Sequence, residues 1–154
     1  LAHDAATGKE LWRRHVVPRP GEPGDETWAG LPLEKRRHVG AWGPGSYDPE
    51  LNLLYWGTSI PAPSNEVIRG TPGADMLYTN STLALDPHTG KIRWFFQHMP
   101  GETLDMETGF ERVLFDDGKG RYVVTVGKDF SPEGIAGLAT RYGWTVSSEN
   151  HVRP

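Results

Sequence analysis

The strongest constraint on this chain is an internal repeat. Leu1-Ala2-His3-Asp4-Ala5-Ala6-Thr7-Gly8-Lys9-Glu10-Leu11-Trp12 returns, 82 residues further on, as Leu83-Ala84-Leu85-Asp86-Pro87-His88-Thr89-Gly90-Lys91-Ile92-Arg93-Trp94. A related stretch, Ser46-Tyr47-Asp48-Pro49-Glu50-Leu51-Asn52-Leu53-Leu54-Tyr55-Trp56-Gly57, lies midway, with Asp-Pro-Glu-Leu-Asn in place of Asp-x-x-Thr-Gly-Lys. Self-similarity at a fixed spacing marks an architecture in which each unit buries its apolar face on the next. Half the spacing gives a unit of about forty residues, the length of one propeller blade.

Each copy reads as a β-hairpin. Apolar residues lead to an Asp that accepts backbone N–H bonds in the turn, a Gly follows that tolerates positive φ, and the second strand ends in Trp. Sustained helical periodicity is missing. The expected fold is therefore all-β, a set of propeller blades in which each Trp docks on the following blade and buries roughly 150–250 Å².

Composition agrees. Nineteen Gly and 13 Pro make the chain turn-rich, while six Trp and 10% aromatics argue against disorder. Sixteen Lys+Arg against 20 Asp+Glu leave a net charge of −4, so the basic field of a general nucleic-acid or anionic-lipid binder is absent. With 36% hydrophobic residues, no apolar run approaches the roughly 20 residues that span a bilayer. The absence of cysteine removes disulfides, thiolate metal sites and cysteine nucleophiles. Six histidines show no close pair at zinc-ligand spacing.

Pro18 to Leu33 and Pro61 to Gly73 read as long inter-blade loops, where a rigid propeller carries its binding groups. Lys35-Arg36-Arg37-His38 reads as a solvated basic face. The pattern divides the chain at 129: residues 1–129 hold blade repeats, whereas 130–154 form an unassigned tail, truncated or frame-shifted. The opening at Leu1, with neither an initiator Met nor a signal segment, is expected of a piece cut from a larger protein.

Three stretches carry a family resemblance: the paired Asp-x-x-Thr-Gly-Lys-x-x-Trp repeats, Trp42-Gly43 through Gly57-Thr58-Ser59-Ile60-Pro61-Ala62-Pro63, and Leu77-Tyr78-Thr79-Asn80-Ser81-Thr82 through His98-Met99-Pro100. They resemble the quinoprotein alcohol dehydrogenases that use pyrroloquinoline quinone (PQQ) and are built as eight-bladed propellers. The resemblance covers about Leu1 to Asp129 and implies that this chain supplies about three blades.

The resemblance also implies site roles. Trp42, in Gly40-Ala41-Trp42-Gly43, stands where the family places the indole floor beneath the PQQ ring; the plain alternative is one more blade-docking Trp. Asp105 matches the aspartate that takes the alcohol proton as hydride passes to the cofactor, the alternative being a solvated loop carboxylate. Lys128 matches the cation that bonds the quinone oxygens, the alternative being an exposed turn lysine.

At the metal the sequence departs from the pattern. Where the family reads Gly-Thr-Gly-Asn-Pro, this chain reads Gly57-Thr58-Ser59-Ile60-Pro61, and Ile60 has no ligand atom. Calcium takes about six to eight oxygens, so a lost amide donor must be replaced, with Ser59 and Asn65 as candidates. Glu107, two residues after Asp105, matches the additional acidic ligand of lanthanide-using relatives, against the alternative of an exposed acidic loop.

The implied function is oxidation of a primary alcohol or related hydroxyl compound, with PQQ and calcium or a lanthanide ion as cofactors. A cytochrome or quinone would accept the electrons, and the location would be periplasmic or otherwise extracytoplasmic. The competing reading is a propeller that has lost catalysis and serves as a binding scaffold. Ile60 and Ser64, in place of the family's Asn and Trp, motivate it.

Overall fold

The computed structural model describes residues 1–37 and 40–128, together with two short strands at 145–146 and 152–153. The architecture is built from antiparallel hairpins. Strands β1 (Ala2–His3) and β2 (Glu10–Trp12) form the first. Strands β3 (Ser46–Asp48), β4 (Leu53–Gly57), β5 (Ser81–Leu85) and β6 (Ile92–Gln97) make one four-stranded meander in sequence order. Strands β7 (Val113–Asp116) and β8 (Arg121–Val124) form a further hairpin. Thr145–Val146 pairs with Val152–Arg153, and the tail reading of 130–154 otherwise lies outside the described residues.

The repeated turn works as its sequence predicts. Asp4 Oδ1 accepts the backbone N–H groups of Ala6 and Thr7, and Gly8 N–H donates to Asp4 O at 2.8 Å. Asp86 does the same with His88, Thr89 and Gly90, and Asp48 Oδ1 accepts from Glu50 and Leu51 at 2.9 Å. One carboxylate thus satisfies two turn amides that a hairpin leaves unpaired.

The unit of about forty residues is a hairpin, and the blade is longer. The copies beginning at Ser46 and Ser81 lie in the same sheet, where β4 pairs with β5 through Leu54↔Leu85 to Gly57↔Thr82. The true repeat is the 82-residue offset between β1–β2 and β5–β6. Within residues 1–128 the described strands form one complete four-stranded sheet and two single hairpins, as parts of three successive blades would. Trp12 docks as expected across that offset: its Nε1–H donates to Pro87 O at 2.9 Å.

All five residues of β5 are buried because it is an interior strand. Leu83 and Leu85 pack with Tyr78, and Val16, Leu54, Leu77 and Ile92 close around them. The two irregular segments are more ordered than their composition announces. Residues 18–33 include a 3₁₀ turn, Asp25–Trp28, whose Trp28 is fully buried and donates from Nε1 to Leu77 O. Arg36 corrects the expectation of a solvated basic face: it is buried over the Trp28 ring, bonded to Pro18 O, Leu31 O and Asp25. A guanidinium can stack on an aromatic face and satisfy several acceptors at once, which a composition count does not show. In the second segment Asn65 caps the one-turn helix α1 (Glu66–Arg69), accepting from Val67 N and Ile68 N. That use occupies the oxygen expected as a substitute metal donor.

Candidate functional site

In an antiparallel meander, the start of β3, the end of β4, the start of β5 and the end of β6 share one edge. The segments leaving that edge bring the candidate residues together. Trp42 precedes β3, Ser59 follows β4, Asp105 and Glu107 lie between β6 and β7, and Lys128 follows β8.

Glu107 is the hub. Its Oε1 accepts the Trp42 Nε1–H at 2.8 Å and the Ser59 hydroxyl, while its Oε2 is 3.6 Å from Lys128 Nζ. Lys128 N–H donates to Glu107 O at 3.0 Å, so the two residues are joined through backbone as well as side chain. Lys128 Nζ also meets Asp105 Oδ2 at 3.3 Å. Burial alone would raise the Glu107 carboxyl; the hydrogen bonds from Ser59 and Trp42 and the Lys128 ammonium outweigh it and hold the group below its ordinary range. For Lys128 burial works downward, and Asp105 and Glu107 together raise it.

Trp42 is 53% exposed, its indole set edge-on against Phe110 at 5.4 Å between ring centroids. About half of the residue's surface is therefore open, while Phe110 and Glu107 fix the ring from the side and at its nitrogen. The blade-docking role belongs instead to Trp12. Trp56 donates to Ala41 O at 3.2 Å, bracing the segment on which Trp42 stands.

Four polar residues absent from the sequence-derived set, Glu102, Arg112, Thr82 and His98, lie in or against the segment that presents Asp105. Glu102 is buried and its Oε1 accepts from Leu104 N and Met106 N, the two amides on either side of Asp105. Asp105 itself has φ +62°, a left-handed conformation that a non-glycine residue adopts at a cost. Arg112, 1% exposed, donates to Thr82 Oγ1, Ser81 O, Thr108 O and Phe110 O, clamping the far end of the loop to β5. Burial pushes its guanidinium down to about 10. His98 Nε2 lies 2.8 Å from the Thr82 hydroxyl, and burial together with Arg112 pushes the imidazole down to about 4. Thr82 Oγ1 accepts from Arg112 Nε on its other side, so Arg112, Thr82 and His98 form one chain of polar contacts.

The described residues contain no group of three or more His, Asp or Glu side chains able to hold a metal. Among the candidate residues the oxygen donors are the Asp105 and Glu107 carboxylates and the Ser59 hydroxyl, while Ile60 is buried and contributes none.

Comparison with known proteins identifies the family of the chain. The family model for the PQQ glucose/ethanol/alcohol dehydrogenase β-propeller domain matches residues 1–127. The quinohemoprotein alcohol dehydrogenase ADH IIB of Pseudomonas putida is 38% identical over 138 residues, covering 80% of this chain and 20% of that protein. The quinoprotein ethanol dehydrogenase of the same species is 34% identical over 157 residues, covering 83% and 25%. Among solved structures, quinohemoprotein alcohol dehydrogenase ADHIIG from Pseudomonas putida HK5 superposes with a TM-score of 0.70 at 31% identity, over 81% of this chain and 20% of that one. A europium-containing methanol dehydrogenase gives 0.64 at 27% identity, over 81% and 25%. The chain thus spans about a fifth to a quarter of the length of these relatives. With a family model matched over residues 1–127, a relative 38% identical over 138 residues and a superposition at a TM-score of 0.70, this chain belongs to the PQQ-dependent alcohol dehydrogenase β-propeller family.

Proposed function

We propose that this chain is the part of a PQQ-dependent alcohol dehydrogenase that carries the cofactor floor, the proton acceptor and the quinone-facing cation. The observation that carries the reading is the convergence of Trp42, Asp105, Glu107 and Lys128, from three separate segments, into one hydrogen-bonded cluster. Trp42 fits a planar quinone because its indole is broad, apolar, half-exposed and already braced. Bound there, PQQ supplies the hydride acceptor.

The residues of the chain then divide the work. Asp105 would accept the hydroxyl proton at a carboxylate oxygen. Lys128, 3.3 Å from Asp105, stabilises negative charge on whatever oxygen faces it, and its elevated basicity keeps it cationic. Glu107 and Ser59, with Asp105, are hard oxygen donors of the kind calcium or a lanthanide takes, and they would hold that ion with further donors from elsewhere in the full-length protein. The ion would polarise a quinone oxygen. Ile60 leaves room for no ligand at its own position. The substrate is a primary alcohol or related hydroxyl compound, electrons leave to a cytochrome or quinone, and the setting is periplasmic or extracytoplasmic. Relatives named quinohemoprotein alcohol dehydrogenase and lupanine 17-hydroxylase [cytochrome c] support a haem-linked route. No helix among the described residues is long and apolar enough to cross a membrane.

The test is dye-linked alcohol oxidation by the full-length protein, reconstituted with PQQ and either calcium or a lanthanide, alongside Asp105→Ala. Turnover that falls by several orders of magnitude in the variant is expected. Ile60 and Ser64 favour the second reading, a binding scaffold. Failure to retain PQQ with either metal decides for that scaffold.

A further inference from the structure

We propose that Glu107 is a positioning residue for the cofactor platform: its carboxylate locks the Trp42 indole and ties it to Lys128, and it does so with no metal bound. The proposal rests on the PQQ reading for its functional meaning, but the contacts that carry it are internal to the chain.

An indole has one polar atom, so a single hydrogen bond at Nε1 combined with one edge contact fixes both the position and the tilt of the ring. Trp42 has that pair of restraints, the bond to Glu107 Oε1 at 2.8 Å and the edge packing on Phe110. The acceptor is itself held. Ser59 donates to the same oxygen, Lys128 lies 3.6 Å from the other, and the Lys128 amide bonds the Glu107 carbonyl. The Glu107 side chain is only 12% exposed, whereas those of Asp105 and Lys128 are 59% and 44% exposed. The hidden carboxylate therefore acts as the rigid member, and the two groups that face solvent are referred to it. Phe110 and Glu107 lie three residues apart on one segment that Arg112 clamps to β5, so both restraints on the indole move as one body.

A residue that served only as a metal ligand would predict different behaviour. Glutamine keeps a carbonyl oxygen able to accept from Trp42 and Ser59 but lacks the charge a hard cation requires; alanine lacks both. The experiment uses the full-length protein, metal-stripped with EDTA and labelled with 5-fluorotryptophan, with the Trp42 fluorine signal assigned by its loss in Trp42→Phe. Glu107→Gln is expected to leave that signal sharp and close to its wild-type position, and Glu107→Ala to shift or broaden it. PQQ titrated into the same metal-free samples should bind Glu107→Ala about tenfold more weakly than wild type, with a smaller induced circular dichroism, and Glu107→Gln within about twofold. A thermal melt of each variant shows that the fold is kept, and Glu107→Gln serves as the readout if the alanine variant fails to fold. The proposal is overturned if the Trp42 signal is unmoved in Glu107→Ala, or if Glu107→Gln displaces it. Absence of PQQ binding by wild type with any metal would count against the dehydrogenase reading alone, because the fluorine signal still decides the role of Glu107.

Discussion

Asp105 is held in its left-handed conformation by a residue the sequence pattern does not single out. Glu102 accepts the amides on both sides of it, which shapes the loop so that the carboxylate projects where it does. In the full-length protein, Glu102→Ala should lower kcat on the order of a hundredfold with a smaller change in KM, because misplacing a proton acceptor by an ångström has that scale of effect. Glu102→Gln, which keeps an accepting oxygen, should recover most of the loss; steady-state kinetics of the pair checks this. His98 yields a second expectation. Its folded value of about 4 lies below the roughly 6.5 of an unfolded imidazole, so the unfolded chain binds the extra proton first. The associated stability is fully present above about pH 6.5 and is lost as pH falls toward 4. Denaturation midpoints of the full-length protein measured across that window should fall more steeply for wild type than for His98→Gln. The carboxylates of both proteins titrate alike and cancel in the comparison. The sequence did not single out these residues, whereas the family resemblance offered Trp42, Asp105, Glu107 and Lys128 as candidates, and the structure brings those four into contact. The latter stand in linear motifs, while Glu102, Arg112, Thr82 and His98 make buried contacts reaching up to 33 residues along the chain.

The hairpin is the element through which the fold was legible, because Asp, Gly and Trp each do one local job at fixed offsets. The same regularity misplaced the period. A strand-turn-strand signal cannot tell whether two hairpins share a sheet, and pairing of β4 with β5 is set by burial of Leu54, Leu83 and Leu85 rather than by turn residues. The turns are also unequal in a way that can be measured. Gly8 and Gly90 occupy equivalent positions with φ +73° and +66°, yet a side chain at Gly8 would meet open space, while one at Gly90 would overlap the Trp12 indole. Gly8→Ala should therefore cost about 1 kcal/mol, the ordinary penalty of a left-handed alanine. Gly90→Ala should cost a further 1–3 kcal/mol or so, because it also displaces the docked Trp12 and its bond to Pro87. Chemical denaturation of the two variants in the full-length protein tests the difference. Equal losses would mean that Trp12 docking contributes little.

At the scale of the molecule, the completed blade is flanked by two hairpins that cannot bury both their faces. Leu11, Phe95, Val113 and Phe115 are exposed, and Trp94, the counterpart of docked Trp12, is 41% exposed, its ring in a tilted contact with Tyr55 at 5.7 Å between centroids. Two-stranded hairpins are marginal alone, and solenoid-like arrays take their stability from neighbouring units. The link from β8 back to β3 is polar: Arg121 bonds Asp48 at 3.1 Å and pairs with Glu50 and Asp116, the kind of partly exposed network worth little at physiological salt. Expressed as these 154 residues, the chain should melt broadly, bind a hydrophobic dye such as ANS, and grow in apparent mass with concentration. The full-length protein, with further blades against those faces, should melt cooperatively as a dye-silent particle. Light scattering and calorimetry on both distinguish the cases. A sharp, high-melting monomer from the 154-residue chain would mean that β1–β2 and β7–β8 find enough support on the central sheet, and that the blade-to-blade contacts seen at Trp12 are sufficient without a ring.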